Sequence, residues 1–266
     1  MIIKKLTVCD LGSISKLTLQ LADGLNVLRR AETDELALAV LTVTNSKSIP
    51  FLPRAQIRRE SRIEAETSLN GEKFFIKAVA NRSLNGFLLR VYDREGRNVT
   101  SEYLYSVSRF EKQEGAECFI GSDRSETAEL LVGCDPATSR EGLLGINAFR
   151  AYLSSFISGF RPERLRAGKE YELVLYKNGK YRVRHPVFGD SEHSLSQSEQ
   201  IMFRYLCFLR TAEFWCGFEE LRNLHSVKKP LIIKDLFERL DESVNIEELM
   251  RRTEKLQRQV IMLSCR

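Results

Sequence analysis

The sequence predicts an α/β protein: a central mixed sheet flanked by helices, with an antiparallel β-subdomain attached. Three observations predict it. Short apolar and β-branched runs of strand length occur near both ends of the chain, at residues 2–9, 17–21 and 25–28 and again at 231–234 and 260–263. Residues 54–92 alternate apolar and polar side chains around an Asn70-Gly71 hairpin signal. Elsewhere apolar residues recur at helical spacing, as in Leu143, Ile146, Phe149, Leu153, Phe156 and Ile157. A chain of 266 residues buries a large core, either as one big domain or as two intimately packed lobes.

Composition narrows the class. Hydrophobic residues make up 43% and charged residues 29%, which is ordinary for a folded soluble protein and argues against disorder. No apolar run approaches the roughly 18 residues that a membrane span needs. The N-terminal Met1-Ile2-Ile3-Lys4-Lys5 lacks the layout of a signal peptide, so a cytoplasmic protein is expected. Six cysteines are scattered without a Cys-x-x-Cys, and only three histidines accompany them, so neither a metal site nor a disulfide framework is expected. They read as small buried hydrophobes.

The net charge of +5 is unevenly placed. Residues 161–184 carry Arg161, Arg164, Arg166, Lys169, Lys177, Lys180, Arg182 and Arg184 against Glu163, Glu170 and Glu172, a local excess equal to that of the whole chain. This segment is the candidate polyanion-facing surface.

Taken in order, strands at 2–9 and 17–21 join through Leu11-Gly12-Ser13, and an Asp23-Gly24 turn leads into a third strand, Leu25-Asn26-Val27-Leu28. Arg29 to Leu38 then leads into a well-capped amphipathic helix that starts at Thr33 or Asp34 and runs through about Thr44. A phosphate-binding loop at this point needs glycines to curl its backbone, a lysine and a hydroxyl, and none is present. Acids stand there instead: Glu32, Asp34 and Glu35 lie where a helix dipole otherwise welcomes a phosphate.

In the alternating block, Lys73–Ala80 and Gly86–Tyr92 are strands, and Asp93 to Gly96 is a further turn. Arg54, Arg58, Arg59 and Arg62 read as a solvated basic face. A helix is expected near Ser101–Phe110, a short strand near Cys118–Ile120, and an apolar helix from Arg140 to Phe160. Tyr171–Tyr176 and Tyr181–His185 flank Lys177-Asn178-Gly179-Lys180, a type I′ hairpin signal. Its alternating tyrosines and bases suit either contact with nucleic acid or a charge-defended sheet edge.

Ser196-Gln197-Ser198-Glu199 is a capping box opening a helix that is apolar on most sides through Met202, Phe203, Leu206, Leu209, Phe214 and Trp215. Beyond it comes the β-run Leu231-Ile232-Ile233-Lys234-Asp235, with Leu240-Asp241 shortly after. A helix at Asn245–Gln259 and a last strand at Val260–Leu263 complete the order, running into Ser264-Cys265-Arg266.

That order resembles the ABC-type ATPase head of the SMC and RecF class. In that class an Asp-Gly-Leu-Asn-Val turn precedes the phosphate loop, and a Leu-Ser-Gly-Gly-Glu signature precedes the Walker B strand and the D-loop. The resemblance implies a P-loop NTPase-like fold over residues 1–266, in two packed lobes divided near residue 138. It also implies which positions carry the chemistry. The phosphate loop maps onto Arg30, Glu32, Asp34 and Glu35, the phosphate lysine onto Leu36, and the magnesium hydroxyl onto Ala37. Ser196 and Glu199 keep the signature, while Gln197 and Ser198 replace its glycines. Lys234 takes the place of the magnesium aspartate, Asp235 that of the catalytic glutamate, Asp241 that of the D-loop and Cys265 that of the switch histidine. A lysine repels the magnesium ion that an aspartate would hold.

The expected function is therefore a catalytically inactive head, a pseudo-ATPase serving as a binding or assembly module, with no cofactor. Its partner would be a second copy, a competent ATPase or DNA, with no membrane. The phosphate loop and the Walker B strand meet in this fold, so Lys234 is expected beside Glu32, Asp34 or Glu35. The alternative is a divergent ATPase of DNA maintenance that takes ATP and Mg²⁺, with Asp235 as base and Asp241 acting in trans.

Overall fold

In this computed structural model, strands from the two ends of the chain pair into one parallel sheet that lies across a helix from an antiparallel sheet. The structure describes residues 1–45, 56–81, 86–108, 118–120, 172–175, 181–185, 189–190, 201, 205, 209, 229–240, 246–256 and 258–265.

The antiparallel sheet has the order β2-β1-β4-β5-β6, built from β1 (Ile2–Leu11), β2 (Ile14–Gln20), β4 (Ile57–Leu69), β5 (Glu72–Asn81) and β6 (Gly86–Tyr92). Its period-two alternation sorts Ile63, Ala65, Ile76, Ala78 and Val91 inward and leaves Arg62, Glu64, Lys77 and Arg90 outside. Asn70 and Gly71 both have positive φ, 52° and 85°, as a tight turn between β4 and β5 requires. The chain leaves β6 through the Asp93–Gly96 turn and a bridge from Tyr92 to Asn98, and enters α2 (Thr100–Ser108). Tyr103 of α2 packs its ring 5.4 Å from that of Phe74.

The parallel sheet has the order β3-β12-β11-β7, from β3 (Leu25–Arg29), β7 (Cys118–Ile120), β11 (Leu231–Lys234) and β12 (Val260–Ser264). Strands β11 and β12 are buried at every position, and their near-continuous apolar runs are what a strand covered on both faces needs. Ile232, Ile261 and Leu263 join the core under the antiparallel sheet. Leu231, Ile233, Val260 and Met262 join a second core with Ile201, Tyr205, Leu209 and Leu249. The last of these sits on α3 (Ile246–Glu254). The strands β8 (Glu172–Leu175), β9 (Tyr181–His185) and β10 (Gly189–Asp190) form a small antiparallel sheet in the order β10-β9-β8. The hairpin strands expected there are thus present. The Lys177–Lys180 turn, the Arg140–Phe160 helix and the rest of the 202–215 apolar helix lie outside the described residues.

Helix α1 (Thr33–Val43) is buried along almost its whole length, touching β1, β4 and β5 of one sheet and β11 and β12 of the other. It starts at Thr33, as expected, but without the expected side-chain cap. Glu32 is the N-cap and no side chain caps the helix; Leu36 N donates to the Glu32 carbonyl at 3.1 Å. Thr33 faces Cys265 instead, and Asp34 is committed elsewhere. At the other end of the chain α3 stops at Glu254, five residues short of expectation. Gln259 is withdrawn from the helix by bonds to the opposite sheet: its Oε1 accepts from Ile3 N, and its Nε2 donates to Ile3 O and Ala22 O, each at 2.8 Å.

Gly12 shows how the two layers constrain one another. It has φ +54°, and a Cβ placed there would lie 2.2 Å from Glu35 Oε1. Glu35 reaches this turn from α1 to accept from Ser13 N and Oγ, both at 3.1 Å. Gly12→Ala is expected to cost about 2 kcal/mol, from left-handed backbone plus displacement of the carboxylate. Gly71→Ala, with φ +85° but open space around it, should cost about half as much. Urea midpoints of the two variants check this, and equal losses would show that the Glu35 contact contributes nothing.

Candidate functional site

The carboxyl ends of parallel strands gather the loops that follow them, and such an edge is where open α/β sheets place their ligands. The register sets Leu28 beside Leu263 and Leu263 beside Lys234. The residues just past these positions, Arg30 to Asp34, Asp235 to Glu238 and Cys265, therefore share one edge, with the N-terminus of α1 above it.

Lys234 is the last residue of β11, and its side chain is only 10% exposed. Its Nζ lies 3.0 Å from Asp34 Oδ1 in the first turn of α1 and bonds Asp235 Oδ2 on its other side. The proximity of Lys234 to the acids of the 32–35 segment is thus present, through Asp34. Burial alone would lower the lysine pKa. The hydrogen bonds and charges of Asp235 and Asp34 outweigh it, so the pKa is raised and the ammonium is held. Asp235 takes φ 56°, a left-handed conformation that aspartate tolerates, while its N–H extends the ladder to Leu263 O at 3.0 Å.

The other acids have separate duties. Glu32 pairs with Arg30 at 3.6 Å, and Glu35 is spent on the Gly12-Ser13 turn. Leu36 and Ala37 are core residues. Cys265, expected to be buried, is exposed; it follows the last strand, where no further strand or helix covers it among the described residues. Its N–H donates to Glu238 Oε1 at 2.9 Å, and its Sγ lies 3.9 Å from Thr33 Oγ1.

Glu238, which sequence reasoning missed, enters through a short 3-10 turn, Phe237–Arg239, after Asp235. No motif marks it. Ligand atoms of Asp235, Glu238 and Cys265 lie within 4.8 Å of one another, close enough for a cation. Desolvation and the adjacent Glu238 push the Cys265 thiol above its ordinary pKa, so it is a poor thiolate ligand and a slow nucleophile. Alkylation of Cys265 by iodoacetamide near pH 8, followed by peptide mass mapping, is expected to be slower than for a free thiol. Glu238→Gln should accelerate it several-fold; an unchanged rate would remove Glu238 as the cause.

A magnesium ion does not fit beside Lys234. An ammonium already occupies the space between the two nearest carboxylates and would repel a divalent cation. Of the remaining expected positions, Asp241, Ser196, Gln197, Ser198 and Glu199 lie outside the described residues, as do Arg161, Arg164, Arg166, Lys177 and Lys180. Arg182 and Arg184 lie on β9, paired with Val174 and Glu172 of β8.

In sequence, no family model and no curated protein matches the chain. Solved structures do. An Smc head bound to the C-winged helix domain of ScpA has a TM-score of 0.63 at 11% identity, covering 100% of this chain and 90% of that one. An Smc head with an extended coiled coil, bound to the C-terminal domain of ScpA from Pyrococcus furiosus, has 0.59 at 10% identity, covering 100% and 90%. RecF solved with ATP has 0.52 at 11% identity, covering 98% and 92%.

These likenesses correct the expectation that no cofactor belongs here. The fold points to nucleotide binding: RecF, which shares it, was solved with ATP, and the edge described above is where open α/β sheets place their ligands. Missing motif residues were too narrow a ground for that expectation. The parallel sheet, the antiparallel subdomain and the chain-long structural match together give this protein the fold of an SMC- and RecF-like ABC ATPase head.

Proposed function

We propose that the chain is a head that does not turn over ATP and acts as a binding or assembly module. The observation that carries this reading is the Lys234–Asp34 ion pair with Asp235 on its far side. Phosphoryl transfer needs cationic neutralisation of the phosphates, with a metal held by carboxylates. Here the strand-end side chain at the metal position is itself a cation, and its charge is consumed by the protein's own acids. The reading concerns hydrolysis; nucleotide binding is compatible with it.

Two of the Smc heads among the structural neighbours were solved with parts of ScpA, and this supports a protein partner for a head of this fold. A second copy is the other protein partner in keeping with the reading, as is a cytoplasmic setting with both lobes in one head. DNA contact through the 161–184 segment is its nucleic-acid version. Reversing Lys177, Lys180, Arg182 and Arg184 should then abolish a salt-dependent mobility shift. Among the described residues no helix is long and apolar enough to cross a membrane.

Phosphate release from Mg-ATP tests the central claim. Turnover is expected to stay at the blank level, with or without a thermal shift on adding ATP. Release of phosphate that disappears in Asp235→Asn would refute the reading in favour of a divergent ATPase.

A further inference from the structure

We infer that the outer face of strands β5 and β6 is a docking surface for an acidic amphipathic helix of a protein partner. The register sets three residue pairs side by side on that face: Phe75 with Tyr92, Lys77 with Arg90, and Val79 with Leu88. Phe75, Val79 and Leu88 are 41%, 42% and 44% exposed, unusual for large apolar side chains that alternate with a well-filled inner face. Between the two apolar rows stand two like charges directly opposite each other, about 5 Å apart at Cβ, an arrangement that destabilises a sheet in isolation. Neither cation has an acidic partner among the described residues, although Glu64 of β4 is the register neighbour of Lys77.

The chemistry that satisfies this face is a carboxylate between two apolar groups. Rows on a strand face repeat about every 7 Å, and positions i, i+4 and i+8 of a helix rise about 6 Å per step, so Leu-Glu-Leu at that spacing matches apolar, basic, apolar. A helix suits the position because it satisfies its own backbone, whereas an extended segment laid across a sheet face would leave its N–H and C=O groups unpaired. A nucleic acid fits less well: a phosphate chain crossing the sheet runs over Glu64 and Glu66 of the adjoining strand, which a helix lying along β5 and β6 does not cross, and of the two apolar rows only Phe75 with Tyr92 offers bases an aromatic surface. The surface stands on the sheet alone and is independent of ATP turnover.

The test is fluorescence anisotropy of the full chain with a labelled alanine-based helical peptide carrying Leu, Glu and Leu at i, i+4 and i+8. Binding in the micromolar range is expected. It should weaken at least tenfold for the peptide with Lys in place of Glu, and at least tenfold for the Lys77→Glu/Arg90→Glu chain. Phe75→Ser/Leu88→Ser should weaken it by a similar factor. Because the opposed cations repel each other, Arg90→Glu should not lower the melting temperature, which separates lost docking from lost folding. Equal affinity for both peptides, unchanged affinity in the charge-reversed chain, absence of binding at about 1 mM, or displacement of the peptide by short duplex DNA would each overturn the inference.

Discussion

Lys234→Met is expected to destabilise the protein by about 3 kcal/mol, because it removes from a buried ion pair the one cation that Asp34 and Asp235 share. In this case two carboxylates are left facing each other. Asp235 is buried at the end of β11, and Asp34 sits in the first turn of a helix held between both sheets. Adding Asp34→Asn to Lys234→Met should recover a large part of the loss, since the mutual repulsion goes with the charge. The linkage has a definite sign. The folded-state pKa of Lys234 is raised, so its contribution is complete below the ordinary lysine value of 10.5 and is lost as pH rises through the higher folded value. Urea titrations of the parent, the single and the double variant at neutral and alkaline pH supply the comparison. A single variant as stable as the parent at neutral pH would mean that the ion pair does not hold this edge together.

Gln259→Leu is expected to cost about 3 kcal/mol as well, through two orphaned backbone groups that have no water to turn to. The Gln259 side chain is buried and serves both the N–H and the carbonyl of Ile3, and also Ala22 O. Ala22 O keeps a second donor in Asn26 Nδ2 at 2.9 Å, so the loss falls on Ile3. This one amide ties the first strand of the antiparallel sheet to the entry of the last parallel strand, 256 residues apart. Faster hydrogen exchange at the Ile3 amide should accompany the fall in stability. If stability falls while that amide stays protected, the loss comes from packing and the tie is dispensable. Gln259→Glu keeps the acceptor for Ile3 N but turns a carboxylate oxygen on Ile3 O, and it should fare no better.

Both sites lie where sequence and tertiary structure divided the work. The strands of the antiparallel sheet were legible because alternation and the Asn70-Gly71 turn are local, and a two-residue turn sets the register of the hairpin it closes. The fully buried parallel strands were legible as apolar runs, and the order of elements carried the resemblance to SMC and RecF heads. The meeting of Lys234 with an acid of the 32–35 segment was readable too, as a consequence of that resemblance.

Four features were not legible. Glu35 looked like one more acid at a helix start, yet it serves a turn 22 residues earlier. Gln259 looked like the tail of a helix. Glu238 has no spacing that pairs it with Cys265. The link of this fold to nucleotide binding was masked by the loss of the motif residues.

What the sequence determined by itself was therefore every feature set by neighbours a few residues apart: the periods of strands and helices, the tight turns and the sequence of elements. Only the tertiary structure decided which acid meets which base, which amide bridges the two sheets and which strand ends form the site. Those choices depend on parallel pairings closed over more than 200 residues, and a chain carries no local mark of a partner that only the completed sheets bring within 3 Å.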